Sequence, residues 1–184
     1  IDREIGYRLG EAGSLNNLGI IAKTRGDLEI AERLHKESLA IRREIGDREG
    51  EASSLNNLGI IASTRGDLEE AERLHKESLA IDREIGYREG EASSLNNLGN
   101  IAETRGDLEE AERLYKESLI IKREIGNRLG EASSLHNLGL ISNTRGDLEE
   151  AERLYKESLA IDREIGNRLG EASSLHNLGL IADT

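Results

Sequence analysis

The side chains able to do chemistry in this chain are of few kinds: imidazole, carboxylate, hydroxyl and amide, with no cysteine. His35 and His75 stand at equivalent positions 40 residues apart, and Tyr115 and Tyr155 fill the same position further on. A position that accepts either ring reads as a helix-packing site with a polar tip rather than a metal ligand. His136 and His176 replace Asn16, Asn56 and Asn96 in a second column. Two imidazoles about 8–10 Å apart, a helix-packing distance, would face each other only loosely. A closed zinc site wants about four ligands, and no carboxylate or Cys joins these two. The many Glu-Arg and Lys-Glu pairs could suggest acid–base catalysis, which needs a secluded pocket that shifts a carboxyl pKa. Here the pairs recur unchanged along faces that read as solvated. No phosphate-cradling glycine motif is present. No enzyme activity, metal or cofactor is therefore expected. The tripeptide Arg-Gly-Asp at 25–27, 65–67, 105–107 and 145–147 matches an integrin-binding motif. Its Gly ends one helix and its Asp caps the next, which uses up the carboxylate.

These residues recur because one unit is copied every 40 residues: Arg65-Gly66-Asp67-Leu68-Glu69-Glu70-Ala71-Glu72-Arg73-Leu74 returns almost unchanged at Arg25, Arg105 and Arg145. A fixed period in the range of about 20–50 residues signals a solenoid of stacked units. Gly at C′ takes the left-handed conformation that ends a helix without a Cβ clash. Asp67 at the N-cap can accept from an orphan amide, and Glu70 completes a capping-box spacing. In the first unit Ile30 replaces that Glu, so the start of its second helix should be weaker.

In order, residues 1–5 match the tail of a second helix (B), and a first helix (A) runs from about Arg8 to Thr24. Its positions Ala12, Leu15, Leu18, Gly19 and Ala22 recur at spacings of three and four, as does the Leu28, Ala31, Leu34, Ser38, Ile41 and Ile45 face of helix B. The A/B units are expected at about 8–45, 48–85, 88–125 and 128–165, with an unpaired helix A at 168–184. Asp47, Asn127 and Asn167 can cap their A helices, whereas Tyr7 and Tyr87 cannot. No linker interrupts the repeats, so 1–184 reads as a single repeat domain.

Composition agrees. Pro, Cys, Trp, Met and Phe are absent, so the core must be Leu, Ile and Ala, which suits closely packed helices. The net charge of −12 disfavours nucleic acid and anionic membranes and mildly favours a basic partner. No apolar run reaches the roughly 18 residues of a membrane span, and no basic-then-apolar leader is visible. The cytoplasm is the expected compartment.

Within a unit, Asn57-Leu58-Gly59 lies ahead of Gly66-Asp67-Leu68-Glu69-Glu70-Ala71, with Leu79 and Ile81 further on. This resembles the tetratricopeptide repeat, with its "N-L-G" in helix A and "G-D-x-x-E-A" at the turn. The resemblance implies an all-α, right-handed α-solenoid superhelix of antiparallel helix A/helix B hairpins. The usual helix-ending Pro is missing, and the period is 40 rather than about 34. The extra residues, Arg43-Glu44-Ile45-Gly46-Asp47-Arg48, lengthen helix B and its loop. Lengthened repeats with "NNL" are similar to those of kinesin light chains and spindle-orientation adaptors. Bacterial and archaeal signalling proteins carry similar arrays.

The copies differ mainly in helix A. Asn16, Asn56, Asn96, His136 and His176 form one column; Ile20, Ile60, Asn100, Leu140 and Leu180 a second; Lys23, Ser63, Glu103, Asn143 and Asp183 a third. Spacings of four and three put them on one face. The resemblance makes that face the concave groove that holds ligands, with Asn17, Asn57, Asn97, Asn137 and Asn177 as an amide ladder binding a peptide backbone. Ser, Asn and Ile stand where a carboxylate-clamp subtype needs Lys or Arg, which disfavours that subtype. The leading expectation is a scaffold for a peptide or protein partner. The alternative is a structural, self-assembling or consensus-like repeat module without a foreign ligand. Uncapped ends exposing Ala172, Leu175, Leu178 and Ile181 also suggest weak head-to-tail self-association.

Overall fold

The computed structural model describes residues 2–182, with side chains from residue 4 onward. Ile1, at the start of the expected helix-B tail, and Asp183 and Thr184, at the end of the last helix, lie outside the described residues. Among the described residues there are nine α-helices and no strands: α1 (Asp2–Arg25), α2 (Leu28–Ile45), α3 (Arg48–Arg65), α4 (Leu68–Ile85), α5 (Arg88–Thr104), α6 (Leu108–Glu124), α7 (Arg128–Thr144), α8 (Leu148–Ile165) and α9 (Arg168–Ala182). Two compact units result, Ile1–Asn97 and Leu98–Thr184, the boundary falling within α5.

The turns form as the repeated stretch requires. Gly66 has φ +82° and ends α3; its N–H bonds Ser63 O at 3.0 Å, and Asp67 N–H bonds Ala62 O at 3.0 Å. Only glycine adopts that φ without strain. Asp67 Oδ1 then accepts from Glu70 N–H at 3.1 Å, and Asp107 and Asp147 cap α6 and α8 in the same way. In the first unit Asp27 makes no side-chain cap bond. The Glu half of the capping box departs from expectation. Glu70 takes two 2.7 Å bonds from Arg73 instead, because a planar guanidinium one turn on offers a bidentate, charge-assisted pair.

One expected break is absent. The helix-B tail at 1–5 does not end at Gly6, since α1 continues unbroken through Gly6 and Tyr7 to Arg25. A five-residue stub offers too little apolar surface to hold a hairpin, whereas continuation keeps the i→i−4 bonds. A glycine in the helix interior costs only about 1 kcal/mol. At Gly46, by contrast, a full-length α2 packs on both α1 and α3 and fixes the turn between α2 and α3, with Gly46 at φ +73°.

In unit 1, α1 packs on α2, α2 on α3 and α3 on α4; in unit 2, α6 packs on α7, α7 on α8 and α8 on α9. The core is the apolar set the periodicity marks, with Ala31, Leu55, Ile61 and Ala71 in unit 1 and Leu135, Ile141 and Ala151 in unit 2 buried. Each fully buried Leu or Ile contributes about 1.5–3 kcal/mol. The residues that lengthen the repeat also act as a clamp. Glu51, buried in α3, is held by Arg43 Nε at 2.7 Å from α2 and by Arg48 Nη1 at 2.6 Å. Glu91 and Glu131 are gripped likewise by Arg83 with Arg88 and by Arg123 with Arg128.

Candidate functional site

The amides of the helix-A face bond to one another between successive A helices. Asn57 Nδ2 donates to Asn16 Oδ1 at 3.0 Å, and Asn97 Nδ2 donates to Asn56 Oδ1 at 2.9 Å. In unit 2 Asn177 Nδ2 lies 3.4 Å from His136 Nε2. The two amide columns thus interlock, each pair using one N–H and one carbonyl of the several an Asn side chain offers. Asn16, Asn56, Asn57, Asn96, Asn97, His136, Asn137 and Asn177 are half-buried; Asn17, Asn100 and His176 are exposed, and Ile60 and Leu140 half-buried. The His136 ring packs on Tyr155, centroids 5.4 Å apart and tilted by 53°. Burial lowers the pKa of His136.

Beneath this face, each helix B drives one ring against a glycine of helix A. His35 abuts Gly19, His75 Gly59, Tyr115 Gly99 and Tyr155 Gly139. Tyr115 Oη donates to Glu103 Oε2 at 2.7 Å and lies 2.7 Å from the Asn100 amide oxygen. Burial, followed by the bond to Glu103, raises the Tyr115 pKa. The histidines lack such a tip: His35 Nδ1 and Nε2 and His75 Nδ1 are buried without a hydrogen-bond partner. Burial pushes both pKa values down to about 4, with Lys23 adding to the effect on His35. They are core rings. Among the described residues, no group of three or more His, Asp or Glu side chains is placed to hold a metal ion.

Deeper still lies a feature the helix-A columns do not mark. Ser38 and Ser78 of helix B donate to the Ala12 and Ala52 carbonyls at 2.9 Å, and approach Ser54 and Ser94 at 3.3 and 3.2 Å. One turn beyond these serines comes a column of charged residues, Arg42, Asp82, Lys122 and Asp162. Arg42 Nη1 bonds Asp47 Oδ2 at 2.5 Å. Asp82 is buried, with Oδ2 3.4 Å from both Ser78 and Ser94 and Oδ1 without a partner. Burial raises its pKa to about 6, the serine bonds opposing and Glu91 and Glu49 adding. Its unit 2 counterpart, Asp162, instead receives Asn167 Nδ2 at 2.7 Å. A cleft of about 450 Å³ opens over Asp82, against one of about 180 Å³ over Asp162. The readable signal was the alternation of base and acid at one repeat position.

A tetratricopeptide repeat profile matches residues 10–84, 90–164 and 130–184. The chain belongs to the tetratricopeptide repeat family. No curated protein sequence matches it. Among solved structures, this tetratricopeptide repeat chain is similar to BtubC from P. vanneervenii, with TM-score 0.81 and 21% identity over 99% of this chain and 83% of that one. A Podosopora anserina putative kinesin light chain with nearly identical TPR-like repeats gives TM-score 0.73 and 20% identity over 92% and 84%. A Rap protein complexed with Competence and Sporulation Factor gives TM-score 0.79 and 16% identity, and the chain spans 48% of its length. At these identities the likeness shows a shared fold. Among the described residues no helix is long and apolar enough to cross a membrane.

Proposed function

We propose that this chain is a non-catalytic scaffold that holds an extended or helical segment of a partner protein against its helix-A face, in the cytoplasm. The observation that carries this reading is the interlocked amide pairs, Asn57 with Asn16 and Asn97 with Asn56. Each pair fixes the amide rotamers and leaves further N–H and carbonyl groups to bond a ligand backbone, with little ordering cost on binding. The Rap structure held with Competence and Sporulation Factor gives a precedent on this fold. The net charge of −12 favours a basic segment. The test is selection of a phage-displayed peptide library on the wild-type chain, followed by calorimetric titration of the enriched peptides. Asn57→Ala and Asn97→Ala should each cost about 1 kcal/mol per lost bond and leave the helical circular dichroism unchanged. Peptides that bind both variants as tightly as wild type would remove the amide face from consideration.

Self-association is a second mode for the polypeptide of these 184 residues. Leu18 and Ile21 on α1 and Leu169, Leu175 and Leu180 on α9 are exposed apolar side chains. Light scattering over a concentration series should show mass rising at millimolar protein and a monomer when dilute. A constant monomer mass throughout would reject it.

A further inference from the structure

We infer that the cleft over Asp82 is a receptor for one cationic side chain, a lysine or arginine of the bound segment. Asp82 lines this cleft with a carboxylate that is 2% exposed and has an unpartnered Oδ1. A buried carboxylate without a counter-charge or full hydrogen bonding is costly, and an incoming cation removes that cost. The chain itself shows the complementary chemistry one repeat earlier. There Arg42 occupies the position of Asp82 and pairs with Asp47. Around the cleft stand Asp47, Glu49 and Glu89 against the single base Arg42, which Asp47 already engages. The local field therefore selects a cation.

A glycine makes room for the site, as one does in every repeat, and a tyrosine makes it specific to this one. A Cβ built on Gly90 would lie 2.4 Å from Asp82 Oδ1 and 2.6 Å from Tyr87 Cδ1, so only glycine leaves room beside the carboxylate. Tyr87 takes the place that Asn167 holds in unit 2, where the amide donates to Asp162 and closes the site. A tyrosine ring cannot make that bond. Its side chain, 39% exposed, can turn aside to admit the ligand and lie against the cation. Ser53, Asn56 and Ser93 line the same cleft, so it opens onto the helix-A face. The inference rests on the scaffold reading for the source of the side chain, though not for the chemistry of the cleft.

The test uses the full chain with carboxyl-carbon-labelled aspartate, followed by NMR at neutral pH. Nα-acetyl-lysine amide and Nα-acetyl-arginine amide should move the Asp82 carboxyl signal saturably, and Nα-acetyl-norleucine amide should not. The Asp162 signal should stay in place. Tyr87→Asn, which supplies the closing amide without changing charge, should weaken binding about tenfold or more. Asp82→Asn should abolish it, and if that variant misfolds, Tyr87→Asn and the Asp162 signal still decide. No saturable movement, equal movement with norleucine, equal movement of Asp162 or undiminished binding by Tyr87→Asn would each overturn the inference. These amides are too short to use the Asn pairs. Their failure would leave the scaffold reading standing, and failure of the alanine variants would leave this one standing.

Discussion

Replacing His35 and His75 together with tyrosine will make the chain markedly more resistant to mild acid. Both rings have a folded-state pKa of about 4 against an ordinary 6.5, since burial excludes the charged form. Between those values the unfolded chain binds more protons than the folded one, so stability rises with pH. The contribution of each ring is fully present above pH 6.5 and is lost as pH falls toward 4, about 3 kcal/mol per ring. Asp82 works in the opposite direction. Its pKa is raised from 3.8 to about 6, so the folded state takes up its proton first and gains stability as pH falls through that window. Acidification of the wild type thus costs stability at these two rings, with a partial offset at Asp82, and the double variant keeps the offset without those two losses. Tyrosine is the chosen replacement because Tyr115 and Tyr155 already fill this position against Gly99 and Gly139. Urea midpoints by circular dichroism at pH 7 and pH 5 measure the effect. Parallel falls in wild type and double variant would show that the histidines are not the acid-sensitive groups.

What could be read in advance, and what could not, follows from how local each feature is. The turn at Gly66 and Asp67 was legible because a left-handed glycine and a capping carboxylate are set by adjacent residues. The apolar faces were legible for the same reason, as i, i+3 and i+4 spacing is local. The amide columns could be located, yet the bonding of Asn57 to Asn16 rather than to a ligand depends on how neighbouring A helices are staggered. Asp82 was missed because a charged residue on an amphipathic helix is ordinarily solvated. Its burial follows from lying one turn beyond Ser78 on the inner edge of α4, where Gly90 lets α5 approach closely. The break expected at Gly6 failed for a related reason. Gly46 bends the chain only because α3 folds back on the whole of α2, and a glycine alone does not end a helix.

The same dependence on a packed partner gives the second large effect, at the ring-on-glycine contacts. A Cβ on Gly139 would lie 2.6 Å from Tyr155 Cε1 and 2.8 Å from Cδ1, closer than real atoms approach. Tyr155 is fully buried and packs on His136, so the ring has little room to give. Gly139→Ala should therefore cost about 1–3 kcal/mol through overpacking. Tyr155→Ala should cost about 3–5 kcal/mol through the cavity it leaves. Combined, the two should cost less than their sum by about 1–3 kcal/mol, because the added methyl enters space the ring has vacated. Gly179 holds the same repeat position on α9, where nothing lies within 4 Å of the added Cβ. There the intrinsic preference of a helix for alanine acts alone, and Gly179→Ala should stabilise by up to about 1 kcal/mol. Chemical denaturation of the four variants tests the set. Strict additivity of the pair, or destabilisation at Gly179 equal to that at Gly139, would mean that backbone effects at the glycine, rather than the approach of the ring, set its identity.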